Sequence, residues 1–183
     1  MTNLKLFKNS SYFERLWESL SNISFKKKNG RVNMKDNKDE ELPKNPIEAQ
    51  GILIKAFYEK FRKEALPIIR EICRKQGRAL GLKILKKVPD HELSTVAKAF
   101  SKSYDPKDIN VVQISDEVFQ IQGNKCPFGL ENTSRELCEA VMEIDAEYFR
   151  TAVNEYIELK IIKTVAEGDD YCDTVYQLKK LVQ

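Results

Sequence analysis

Ile109-Asn110-Val111-Val112-Gln113-Ile114-Ser115-Asp116-Glu117-Val118-Phe119-Gln120-Ile121-Gln122-Gly123 is the stretch that decides the fold class. Upstream of it, apolar residues recur every three or four positions; from Ile109 onward they alternate with polar ones. That change of period marks the passage from helix to half-buried strand. It predicts strands over 109–115 and 117–122, joined by a tight turn near Asp116. Gly123-Asn124 ends the second strand and delivers Cys126.

Towards the C-terminus, Thr133 and Glu136 stand at capping-box spacing before a helix carrying Leu137, Cys138, Val141 and Ile144. A second short helix holds Tyr148, Phe149, Ala152 and Val153. Ile157, Leu159 and Ile161 alternate with Glu158, Lys160 and Ile162, which predicts a strand over 157–165. Gly168-Asp169-Asp170 reads as the turn into a returning strand over 171–179.

Towards the N-terminus, Asp90 is a candidate cap for a helix with the stripe Leu93, Val96, Ala97 and Phe100. His91, the single histidine, falls at that helix start and reads as an exposed residue rather than a ligand. Asn45-Pro46 combines a capping residue with a proline at the first helical position. The helix it opens should kink or restart near Leu66, because Pro67 cannot lie in a helix interior. Ile68, Ile69, Ile72 and Ile84 carry the pattern on to about Lys87. Gly77 and Gly81, four apart on one face, let another backbone come close and read as a helix-packing contact. The sum is an α+β domain over 45–183, with an antiparallel sheet of about four strands packed against a layer of helices. Residues 1–25 hold a short amphipathic helix with Phe13, Leu16, Trp17 and Leu20, and 26–44 form a charged linker.

The chain has 183 residues, of which 42% are hydrophobic and 32% charged, with a net charge of +3. Its near-balance of charge speaks against nucleic acid as the partner. No apolar run approaches the roughly 20 residues that span a bilayer. A secretory signal pattern is missing, so the expectation is a cytoplasmic protein with reduced thiols.

Three of the four cysteines, Cys126, Cys138 and Cys172, fall at element ends, 12 and 34 residues apart. Cys73 sits within a helical stripe and reads as core. Structural zinc usually uses cysteines paired two to four residues apart, and no such pair occurs here.

Cys126-Pro127-Phe128, Leu137-Cys138-Glu139, Asp145 and the run Thr164 to Asp173 together resemble the aminothiazoline-carboxylate hydrolase family. That family is similar to ligand-binding domains of the 4-vinyl-reductase type, which share a fold with trafficking subunits of the TRAPP complex. The resemblance covers about residues 50 to 180. It implies an often dimeric α+β domain with a small-molecule pocket between helices and sheet; because such relatives pair through their long helices, the close contact marked by Gly77 and Gly81 leads us to expect a homodimer. It also implies a possible zinc ion held by Cys126, Cys138 and Cys172, with Glu139 or Asp145 as fourth ligand. Phe128, Cys138 and Tyr171 would then contact a small ligand. Vinyl-reductase-type domains usually carry a further cysteine where this chain has Thr164-Val165-Ala166, which favours the hydrolases and leaves zinc short of one ligand.

Opening a thiazoline ring needs a nucleophile and a proton donor. Cys126 or Cys172 would attack as a thiolate, or a bound metal would activate water with Asp145 as the base. Two readings therefore stand: a hydrolase-like protein acting on a small cyclic metabolite containing nitrogen and sulfur, and a non-catalytic ligand-binding or dimeric scaffold domain.

Overall fold

The computed structural model describes residues 42–179. The helix expected within 1–25 and most of the linker expected over 26–44 lie outside them. Asn45 opens helix α1 (Pro46–Phe61) by accepting the Ile47 and Glu48 amides on Oδ1 at 2.9 and 3.0 Å. Those two N–H groups have no partner inside the helix, so the cap replaces water there. The helix stops at Arg62, whose positive φ of 52° breaks the ladder. A single 3-10 turn, Arg62–Ala65, follows. Helix α2 (Leu66–Ile84) then restarts with Pro67 in its first turn, as the sequence requires. It is shorter at its C-terminus than the expected Lys87, and residues 85–87 form turns. The two helices make a hairpin bridged by Gln50 and Gln76, whose amides lie 2.8 Å apart.

Helix α3 (Leu93–Ser101) buries Leu93, Val96 and Ala97. Its N-cap position is Glu92; Asp90 instead accepts the Glu92 amide at 3.1 Å and shapes the preceding turn. His91 is exposed there. Strands β1 (Ile109–Ile114) and β2 (Val118–Gly123) follow, then helices α4 (Arg135–Val141) and α5 (Glu143–Ala152), and strands β3 (Ile157–Lys163) and β4 (Cys172–Leu178). The cap of α4 is Ser134, whose Oγ accepts the Leu137 amide at 3.2 Å; the neighbouring Thr133 hydroxyl donates to the Leu130 carbonyl. The cap thus lies one residue beyond Thr133, and Glu136 accepts the Tyr58 hydroxyl instead of completing a capping box. Between β3 and β4 the chain forms a 3-10 turn, Val165–Glu167, and leaves through Gly168 at φ 99°, so the hairpin is longer than the expected Gly-Asp-Asp turn.

All four strands are antiparallel, in the order β1-β2-β4-β3. Phe119 pairs with Tyr176 across β2 and β4, and their rings stack at 5.4 Å. Phe100 and Phe149 close an aromatic core around them. On the opposite face Asp173, only 6% exposed, accepts amide protons from Gln120 at 2.8 Å and Gln122 at 3.0 Å. The expected α+β architecture with an antiparallel sheet is present.

Gly77 and Gly81 do make a close helix contact, but inside the chain. A Cβ on Gly77 would lie 2.1 Å from the Ile144 carbonyl oxygen of α5, and one on Gly81 would lie 2.7 Å from the Thr151 Cβ. The glycines are consumed in seating α2 on α5 and are not available to a second copy, so the dimer loses that premise.

Candidate functional site

Strand pairing brings the expected thiols into one region. Cys172 begins β4 opposite Gly123, the last residue of β2. Three residues later the chain reaches Cys126, whose amide donates to Glu131 and whose carbonyl accepts from Gly129. Gly129 holds a φ of 62°, so this turn favours glycine. Helix α1 is laid directly on the loop, since a Cβ on Gly51 would fall 1.9 Å from the Phe128 carbonyl oxygen. Cys138 projects from α4 and receives a hydrogen bond from the Thr164 hydroxyl at 3.2 Å.

Burial pushes the Cys138 thiol up to about 11, against the Thr164 hydrogen bond, and the neighbouring Cys172 and Cys126 add to the rise. Cys126 is also pushed up, chiefly by burial. A thiol at 11 is ionised in only about one molecule in ten thousand at neutral pH, which makes Cys138 a poor nucleophile. Glu139 points elsewhere, 3.8 Å from Arg70 at the surface. Among the described residues no three His, Cys, Asp or Glu side chains form a metal-holding group. Tyr171 lies beneath the Lys163 ammonium, 4.6 Å from ring to nitrogen, and Phe128 packs on the core cluster to which Cys138 belongs.

Asp145 lies in the first turn of α5. Its carboxylate accepts the Tyr176 hydroxyl at 3.0 Å. Desolvation raises its pKa to about 6, a rise the Tyr176 hydrogen bond opposes. Its charge acts on Tyr104, Tyr148 and Tyr176, and on Cys73. Burial, Glu143 and Asp145 push Cys73 up to about 11. The structure thus pairs Asp145 with the helical cysteine read as core. The phenols were missed in the sequence because their partners come from α5, β4 and the segment after α3, with no local spacing to betray them.

Among the depressions of the described surface are two beside the helices and the sheet. One, of about 210 Å³, is bordered by Arg70, Glu143, Arg150 and apolar residues including Met142 and Leu159. The other, of about 400 Å³, lies beside Tyr104, Pro106 and Val111. None of Cys126, Cys138, Cys172, Phe128, Tyr171 or Asp145 lines either.

Exposure predicts how the thiols react. Cys126 and Cys172 keep partial access, while Cys73 and Cys138 are buried. In the folded chain, maleimide should label Cys126 and Cys172 first, with Cys73 and Cys138 following only on unfolding. Equal labelling of Cys73 and Cys126 by mass spectrometry would contradict this arrangement.

No family model matches the chain, and no curated protein does. Among solved structures it is similar to a trafficking protein particle complex subunit 3 from Naegleria fowleri, crystallised covalently bound to palmitic acid. That likeness is 15% identical, covers 75% of this chain and 97% of the other, and has a TM-score of 0.49.

Proposed function

We propose that this chain is a non-catalytic docking domain that presents the outer face of the α1–α2 hairpin to a partner. The observation that carries this reading is the exposure of large apolar side chains on both helices: Ile52 (46%), Leu53 (70%) and Phe61 on α1, and Ile68, Ile72 (57%) and Leu82 on α2. Single exposed apolar residues are ordinary, but a run of them on two consecutive helices marks an interaction surface. Hydrolysis of a cyclic amidine has less support. The Cys126 and Cys138 thiols are held towards their protonated form, and the Asp145 carboxylate is engaged by the Tyr176 hydroxyl.

The hairpin can be tested without disturbing the core. Leu53→Glu with Ile72→Glu should leave thermal unfolding within about 0.5 kcal/mol of the wild type, as expected for surface positions. The same pair should abolish the chain's association, measured with itself by sedimentation across the micromolar range and with lipid as described below. Unfolding of the double variant would show that the face belongs to the core. Absence of any association by the wild type in both measurements would also overturn the reading.

A further inference from the structure

The near-neutral charge of the whole chain hides a strong separation. From Pro46 to Lys87, eleven lysines and arginines stand against four glutamates, giving the hairpin a net charge of +7. From Val88 to the end, ten basic residues stand against eighteen acidic ones, giving −8. Part of the hairpin's charge is used internally: Arg70 and Arg74 pair with Glu143, Lys63 with Glu136, and Lys75 with Glu71. Lys55, Arg62, Arg78, Lys83, Lys86 and Lys87 form no ion pair among the described residues. The segment that exposes Leu53 and Ile72, from Pro46 to Lys87, therefore also carries most of the positive charge that forms no ion pair among the described residues.

We infer that the outer face of the α1–α2 hairpin docks on an anionic lipid surface. The inference rests on the docking reading above and names its partner. Apolar side chains on a helix surface bury in the headgroup and acyl boundary, and nearby lysines and arginines attract acidic headgroups. Long basic side chains reach the headgroups while their stems lie along the apolar layer. A second copy seated face to face would bring the unpaired cations of two hairpins together, which repel. A protein partner is served best by pockets that receive its anchoring side chains. The two depressions lie off this face, one meeting it only at Arg70 and the other lying at the β1 edge. The apolar residues here protrude, and a lipid surface receives protruding side chains without a complementary pocket.

The test uses the full chain and two vesicle compositions, phosphatidylcholine alone and phosphatidylcholine with phosphatidylserine, in a flotation assay. The expected result is binding to the phosphatidylserine vesicles only, weakened by salt as exposed charge interactions are. Arg78→Glu with Lys83→Glu should lower the bound fraction at least tenfold, and Leu53→Glu with Ile72→Glu should do the same, with circular dichroism unchanged in both. Equal binding to the two compositions, or none to either, overturns the lipid proposal. If no vesicle binds but sedimentation shows self-association lost in the Leu53/Ile72 variant, the docking reading stands with a second copy as occupant. Retention on immobilised polyglutamate without vesicle binding assigns an acidic protein instead, and likewise overturns the lipid proposal. If the apolar variant changes neither measurement, both readings fall.

Discussion

Gly77→Ala should destabilise the domain by about 2 kcal/mol or more, although alanine is the better helix former. The helical preference favours alanine by roughly 1 kcal/mol. Against it stands a methyl group 2.1 Å from the Ile144 carbonyl oxygen, where the obstacle is backbone and not a flexible side-chain tip. Relief requires α2 and α5 to move apart, opening the packing around Ile69, Cys73 and Ile144. Overpacking of a well-filled core costs about 1–3 kcal/mol and sometimes more, and a clash with backbone belongs at the upper end. Urea denaturation should show a lower midpoint at unchanged slope. A midpoint equal to or above that of the wild type would mean that the two helices are not held at this distance. Gly51→Ala, facing the Phe128 carbonyl at 1.9 Å, should act in the same direction through the loop that carries Cys126.

Asp145→Asn should stabilise the domain at neutral pH. The folded-state pKa of Asp145 is raised from the ordinary 3.8 to about 6. A carboxyl raised on folding contributes stability that is fully present below about pH 4 and lost as pH rises through 6. At pH 7 the native state must hold a carboxylate in an apolar setting, with the Tyr176 hydroxyl as its hydrogen-bond donor. The full shift corresponds to about 3 kcal/mol at roughly 1.4 kcal/mol per unit. Asp145 keeps partial exposure, and solvent screening brings the expected gain down to about 1–2 kcal/mol. Asparagine still accepts the Tyr176 hydroxyl and carries no charge. The difference in unfolding free energy between variant and wild type should therefore vanish near pH 4 and grow up to pH 7. A difference that is constant with pH, or a variant less stable at pH 7, would show that the carboxylate is solvated or serves another group. Taking the difference cancels carboxyls of opposite sign, such as Glu143, which its three arginine neighbours hold below the usual range despite partial burial.

Much of the architecture was legible in the sequence because it is set by local chemistry. Asn45 followed by Pro46 specifies a helix start through one side-chain oxygen and one fixed φ, and α1 begins there. Pro67 excludes an unbroken helix, and the chain answers with a 3-10 turn and a new first turn. The alternation from Ile109 follows from the two-residue repeat of a strand, which holds whatever the strand pairs with. Boundaries shifted where neighbouring groups of similar chemistry compete. Ser134 rather than Thr133 caps α4, because the Thr133 hydroxyl is engaged by the Leu130 carbonyl.

The site was legible only in part. The amphipathic pattern of α1 and α2 and their excess of lysine and arginine stand in the sequence, but the exposure of Leu53 and Ile72 does not. A helical stripe is the same whether its apolar side faces a core or water. Gly77 and Gly81 announced a close contact, and only the tertiary structure chose α5 as its other half. Asp145 acquired its raised pKa from burial by groups distant in sequence, with the Tyr176 hydroxyl, 31 residues away, opposing the rise, and Asp173 acquired two amide donors from the neighbouring strand. Local sequence determines which backbone conformations and which faces exist, since those depend on residues a few positions apart. Which face is covered, which thiols meet and which carboxyl loses water depend on groups brought together across the chain, and strand order and helix packing decide them.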